Sequence, residues 1–198
     1  QAERKLRTVV LDTGPARKNI TCIRTNYKRG MQRMAEYLYS LGHRRLAFVG
    51  HHDALASLHD RAETFTEVMG QYGAVVEYRQ ETGSDGYDGG RDAANRLLAT
   101  GFAPTAIVCV NDCMAVGVIR ALLDRGLKVP QDVSVAGFDN ISLSEYIQPA
   151  LTTVHIARDV IGSLIHEHLT NDEDRRVARE IVIEPELVVR DSTGPAPK

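Results

Sequence analysis

The chain has 198 residues, 43% of them apolar and 25% charged, with a formal net charge of -2. This is enough apolar material for a buried core in one large domain or two small lobes, and it gives no general attraction to phosphate polymers. No apolar run approaches the roughly 20 residues that cross a bilayer, and the opening QAERKLRTVVLD has no secretory apolar core, which fits a reducing cytosol.

In chain order, residues 8–11 read as a buried strand ending at Asp12, with Thr13, Gly14 and Pro15 as the turn after it. Residues 26–41 place Met31, Met34, Ala35, Leu38 and Leu41 at helical spacing, stopped by Gly42. A strand over 46–49 is followed by the polar loop HHDALASLHD and then a helix carrying Phe65, Val68, Met69 and Tyr72. Residues 75–78 form a short strand. The loop GSDGYDGG then supplies a turn and cap for a helix with Ala93, Ala94, Leu97 and Leu98, and its order does not match a calcium loop.

Residues 104–140 organise the rest. An apolar run over 106–110, a helical segment over 112–125 closed by Gly126, and a second apolar run over 133–137 make a strand, a helix and a strand. Such a crossover is right-handed, and both strands end on the same edge of a parallel sheet. After it come a short turn at 142–147, a strand at 151–154 and a helix at 158–169. The polar run NDEDRR connects to strands at 181–183 and 187–189, split by Pro185, and the tail from Asp191 is expected to fray. Helices alternating with strands between residues 26 and 137 predict an α/β fold with a doubly wound parallel sheet.

The polar residues gather where the strands end. Asn111 and Asp112 follow one central strand, Asp139 and Asn140 the other, and Asp12 the first. Ligands of open α/β sheets bind at that edge. Arg61 adds a rigid donor fork from the start of a helix, and Asp112 is expected to cap its own helix. Three carboxylates could also transfer protons. Yet no G-x-S-x-G turn, GxxxxGK[ST] loop or GxGxxG loop accompanies them, so neither an enzyme nor a bound cofactor is expected. Cys22, Cys109 and Cys113 lack metal-type spacing, no HExxH occurs, and His166 and His168 are spaced to face different ways, so no metal site is expected.

Five segments, LGHRRLAFVG, VNDCMAVG, GLKVPQDVSVAGFDN, PALTTV and RDSTG, resemble in order and spacing the effector-binding core of the lactose-repressor (LacI/GalR) family of bacterial transcription regulators. The resemblance implies a periplasmic-binding-protein-like fold. Residues 25–155 with 173–198 would form a complete C-terminal lobe, and 1–24 with 156–172 a remnant of the N-terminal lobe. It also implies that the family's helix-turn-helix is absent from this chain. Asp12, Ser57, Arg61, Asn111 and Asp139 match positions that line the family's pocket, and Arg158 is a further candidate for it. Two positions depart from the pattern: Asp85 stands where many relatives carry an aromatic cover, with Tyr87 two residues on, and Ile156 replaces a usual glutamine. The implied function is binding of a small-molecule effector, with a carbohydrate or polyol favoured by the Asp and Asn side chains and a purine disfavoured by Leu55. In the intact cytoplasmic homodimer that effector would control operator binding. The alternative is a periplasmic sugar-binding protein of a transporter, which shares the two-lobed fold.

Overall fold

A computed structural model describes residues 8–14, 16–17, 20–51, 56–73, 76–170 and 179–198, with Ala56 and Ser57 described by backbone only. Pro15, Leu55, the strand start at 74–75, the Ser57 side chain and the connection at 171–176 lie outside the described residues. In chain order the elements are β1 (Thr8–Leu11), β2 (Ile20–Thr25), α1 (Tyr27–Ser40), β3 (Arg45–His51), α2 (Ala56–Gln71), β4 (Glu77–Gly83), α3 (Gly86–Ala99) and β5 (Ala106–Cys109). They continue with α4 (Asp112–Asp124), β6 (Ser134–Asp139), α5 (Leu143–Tyr146), β7 (Thr152–His155), α6 (Arg158–Thr170), β8 (Arg179–Ile183) and β9 (Glu186–Val188).

The chain divides into two compact units. The first comprises Gln1–Asn26 and Ile156–Pro185, and the second Tyr27–His155 and Glu186–Lys198. In the first, β1, β2 and β8 form a parallel sheet in that order, with Val10 opposite Cys22 and Cys22 opposite Glu180. Because β8 pairs with β2, the last boundary falls at Pro185 rather than at residue 172. Among the described residues β1 pairs only with β2, and it is half-buried rather than buried, with Leu11 46% exposed.

The second unit is built on a six-stranded sheet in the order β4-β3-β5-β6-β7-β9, parallel throughout except for β7 against β9. β5 is buried along its whole length, as a central parallel strand covered on both faces requires. β4 begins later than its sequence suggests and is mostly exposed at the sheet's edge. From β3 the chain winds one way to β4, and from β5 it winds the other way to β6 and β7. Right-handed crossovers therefore put α2 on one face and α3 and α4 on the other. The topological switch point lies between the carboxyl ends of β3 and β5.

Helices α3 and α4 meet backbone to backbone. A Cβ on Gly117 would stand 1.9 Å from the Tyr87 carbonyl oxygen, and one on Gly90 would stand 2.2 Å from that of Met114. This contact fixes the spacing of the two helix starts, which both open on the switch-point edge.

The RDSTG segment does not fray; it closes the sheet. Ser192 is fully buried, with its Oγ donating to Val135 O at 2.6 Å and accepting from Thr152 N at 2.8 Å. Val135 N donates to Ser192 O at 2.8 Å, and Thr193 Oγ1 lies 2.7 Å from Thr152 Oγ1 and 3.0 Å from the Tyr37 hydroxyl. Gly194 O meets the Nε2 of His43, which is completely buried, at 3.0 Å. Small hydroxylic residues thus serve as sheet partners where the sequence suggested only a polar tail.

Among the described residues no helix is long and apolar enough to cross a membrane, and no group of three or more metal-ligating side chains occurs.

Candidate functional site

The carboxyl edge of the second unit carries a row of polar groups across four adjacent strands. β4 is followed by Asp85, β3 ends at His51, β5 is followed by Val110 and Asn111, and β6 ends at Asp139. Adjacent strands lie about 4.8 Å apart, so the row spans on the order of 14 Å, the scale of a small polar ligand.

Arg61 sits at its centre. Because α2 starts inside the segment expected to be a polar loop, Arg61 falls in the helix's second turn, and its side chain runs across the sheet edge. It is only 4% exposed. The guanidinium lies 4.0 Å from the centre of the Phe138 ring and 4.7 Å from that of Tyr27. Nη1 donates to Val110 O at 2.6 Å and Nη2 to Asp139 Oδ1 at 3.2 Å. Nε is buried with no hydrogen-bond partner among the described residues. An orphaned donor of this kind costs about 1–3 kcal/mol unless something accepts from it.

Asn111, rather than Asp112, caps the helix that follows β5. Asn111 has extended dihedrals, φ -148 and ψ 169, and its Oδ1 accepts from Met114 N at 2.8 Å, so Asn111 is the N-cap of α4. Asp112 is the first helical residue and completely buried. Its Oδ1 accepts from Thr153 Oγ1 at 2.5 Å, and its Oδ2 from Ser144 Oγ at 2.7 Å and Ile141 N at 2.9 Å. Burial pushes its pKa above the ordinary carboxylate range, and those three hydrogen bonds only partly oppose the shift. Gly137 makes the insertion possible, since a Cβ there would stand 2.2 Å from Asp112 Oδ1.

Asp112 thereby holds the loop that presents Asp139. Asp139 and Asn140 have φ of 109 and 51, left-handed values that non-glycine residues adopt at a cost of about 1–3 kcal/mol each. Asn140 is held from two further sides: Arg190 Nη2 donates to its Oδ1 at 2.9 Å, and its Nδ2 donates to His155 Nδ1 at 3.1 Å.

At the other end of the row, Asp85 caps α3 by accepting from Gly86 N at 2.8 Å, accepts from Asn111 Nδ2 at 2.9 Å, and lies 3.5 Å from His51 Nε2. The Asn111 hydrogen bond is the main reason its pKa falls below the ordinary range. Tyr87 is on α3 itself and 49% exposed. Neither His51 nor Asp85 was among the ligand candidates, although an Asp just before a helix and a His closing a buried strand were visible signals.

The remaining candidates belong to other elements or are not described. Asp12 and Arg158 belong to the first unit: Asp12 Oδ1 accepts from Thr25 N at 2.8 Å, and Arg158 is the exposed first residue of α6. Ser57 lies in the first turn of α2, and its side chain is not described.

Residues 35–193 match the family model of the periplasmic binding protein-like domain. The chain belongs to that family. Within the family it is 34% identical over 193 residues to the probable HTH-type transcriptional repressor ExuR of Bacillus subtilis, covering 96% of this chain and 58% of the repressor. The chain thus spans little more than half the length of this curated relative. Its fold matches a LacI-family transcriptional regulator from Enterococcus faecium solved with bound ribose, with a TM-score of 0.82, 28% identity, and coverage of 94% of this chain and 70% of the regulator. It also matches a dimeric Lac repressor carrying a C-terminal deletion, with a TM-score of 0.85, 25% identity, and coverage of 96% and 69%. This periplasmic-binding-protein-like chain is thus similar over nearly its whole length to transcriptional regulators of the LacI type.

Proposed function

We propose that the switch-point edge binds a small polar effector, a sugar or related polyol, and that in the intact protein its occupancy sets the affinity of a transcriptional repressor for operator DNA. The observation that carries this reading is the buried Arg61, paired to Asp139 and Val110 O yet left with an unaccepted Nε–H at the place where doubly wound sheets bind ligands. Beside it, Asp139, whose side chain is 22% exposed, and Asn111 can accept from or donate to neighbouring ligand hydroxyls. The ribose bound by the Enterococcus regulator supports the choice of ligand class.

Control would work by population shift: the ligand prefers one conformation of the regulator, and coupling to DNA is limited by that differential affinity. A cytoplasmic homodimer is part of the proposal, supported by the dimeric state of the Lac repressor it resembles. Calorimetry of the full-length protein against neutral sugars tests it, together with operator binding in their presence and absence. Binding of one sugar with a matching change in operator affinity is expected. A nucleobase binding tightly while every sugar fails would refute the ligand class.

A further inference from the structure

The charges along the switch-point edge are unevenly matched. Asp139 is paired with Arg61 at 3.2 Å, and Asp112 is sealed inside the fold by three donors. Asp85 differs from both, because its side chain is 63% exposed and, among the described residues, its partner of opposite potential charge is the His51 imidazole, 3.5 Å away, rather than a fixed cation. Arg91 and Arg96 on the same helix are engaged elsewhere, Arg91 with Asp88 and Asp92, and Arg96 with Glu81.

The Asp85 carboxylate is held in place as well as exposed. Its hydrogen bonds from Gly86 N and Asn111 Nδ2 both fall on Oδ1, which leaves Oδ2 to accept. The glycine contact between α3 and α4 fixes the distance from Asp85 to Asn111, and His51, whose side chain is 6% exposed, backs the pair from β3. Three adjacent elements at the switch point thus converge on one ionised acceptor that faces outward.

We propose that Asp85, positioned by Asn111 and His51, reads a hydroxyl donor of the ligand and selects a neutral polyol over the corresponding sugar acid or sugar phosphate. The proposal rests on the reading of this edge as the effector site and deepens it by naming the ligand's charge class. A ligand hydroxyl gives Oδ2 a charge-assisted hydrogen bond, one of the stronger kinds. An anionic group at the same place meets a like charge about 5 Å away, with no unmatched fixed cation beside Asp85 among the described residues of the second unit, which weakens binding by roughly tenfold or more at surface dielectric.

The test compares the full-length wild type with D85N by calorimetry. The panel is ribose, galactose and glucose, their acids ribonate, galacturonate and glucuronate, and ribose 5-phosphate. Asn caps helices as well as Asp and keeps an oxygen for Asn111, so the substitution removes the charge and spares the frame. A melting temperature within about 2 °C of wild type confirms this. The expected result is that the best neutral sugar binds the wild type at least tenfold tighter than its acid or phosphate, and that D85N brings the two within about threefold. An acid or phosphate bound by the wild type as tightly as its neutral counterpart overturns the selection, as does a D85N protein that keeps the full preference. In both cases the effector-site reading survives, because neutral sugars still bind. Failure of every panel member to bind the wild type overturns both.

Discussion

Replacing Asp112 with alanine removes the acceptor for three donors at a site with no exposure to water: Thr153 Oγ1 at 2.5 Å, Ser144 Oγ at 2.7 Å and Ile141 N at 2.9 Å. The two hydroxyls can turn toward other acceptors and recover part of the loss. The Ile141 N–H is fixed by the backbone and cannot. With about 1–3 kcal/mol for each buried donor left unsatisfied, and some relief from removing a buried carboxyl, D112A is expected to lower unfolding stability by about 2–4 kcal/mol. D112N should cost about 1 kcal/mol, since its amide oxygen can occupy the position that takes two donors while the Thr153 hydroxyl rotates to accept. Urea unfolding followed by circular dichroism measures both variants. The pH dependence adds a second check, because Asp112 is more easily protonated in the folded chain than in the unfolded one. Its contribution to stability is greatest below the ordinary carboxylate pKa and is lost as pH rises through its raised folded value. Wild type should therefore lose stability relative to D112N over that window. If D112A unfolds within 0.5 kcal/mol of wild type, or the D112N difference is flat with pH, the account of Asp112 as the anchor of the Asp139 loop is wrong.

Four other outcomes follow from the same reasoning. Arg61→Ala should weaken effector binding roughly tenfold to a hundredfold and also lower stability by about 2 kcal/mol, because the side chain is packed on Phe138 and Tyr27 as well as hydrogen-bonded; unchanged calorimetry and melting would contradict it. Gly117→Ala forces a Cβ against the Tyr87 carbonyl oxygen and should cost about 1–3 kcal/mol or more, visible as a lower melting temperature. His43 is kept below its ordinary pKa mainly by burial, so its stabilising neutral form is fully present above that range and lost as pH falls through the depressed value. A melting profile taken from pH 7 down to 5 should therefore fall more steeply for wild type than for H43Q. Finally, the first unit exposes Leu11, Val160, Leu169 and Val182, and light scattering should find a dimer that L11S and V182S weaken; a clean wild-type monomer would count against association.

What the sequence showed and what it hid follow from burial. β5 and β6 were readable because a central parallel strand, covered on both faces, is written as an unbroken apolar run. β4 lies at the edge, where the residues EYRQETG need satisfy only one neighbour and one partly covered face, so the apolar signal is nearly absent. β2 was overlooked although four of its six residues, Ile20, Thr21, Ile23 and Thr25, are β-branched, a composition that favours strands even where alternation is weak.

At the site, the position of Asn111 and Asp139 at the carboxyl ends of their strands was legible from the crossover alone. The division of labour between Asn111 and Asp112 was not, because both residue types cap helices well and only the extended dihedrals of Asn111 decide between them. Arg61 was legible as a candidate but not as a buried one, since its burial depends on Phe138 and Tyr27, which are distant in sequence. The hydrogen bonds of Ser192 and Thr193 were hidden for the opposite reason: a short polar segment carries no periodicity, whatever it pairs with.

The closure of the sheet by that segment also sets a schedule for synthesis. Val135 N and Thr152 N lie in central and near-central strands, yet both find their partners on Ser192. While a ribosome is still adding residues between β7 and Ser192, those two amides have only water to bond, and His43 has no Gly194 carbonyl to meet. The earlier strands can collapse during translation, but the interior of the second unit stays wet along one line until residue 194 has left the exit tunnel. Its folding is therefore completed only after that segment has emerged, and it is in that interval that a chaperone would find exposed apolar sheet to hold.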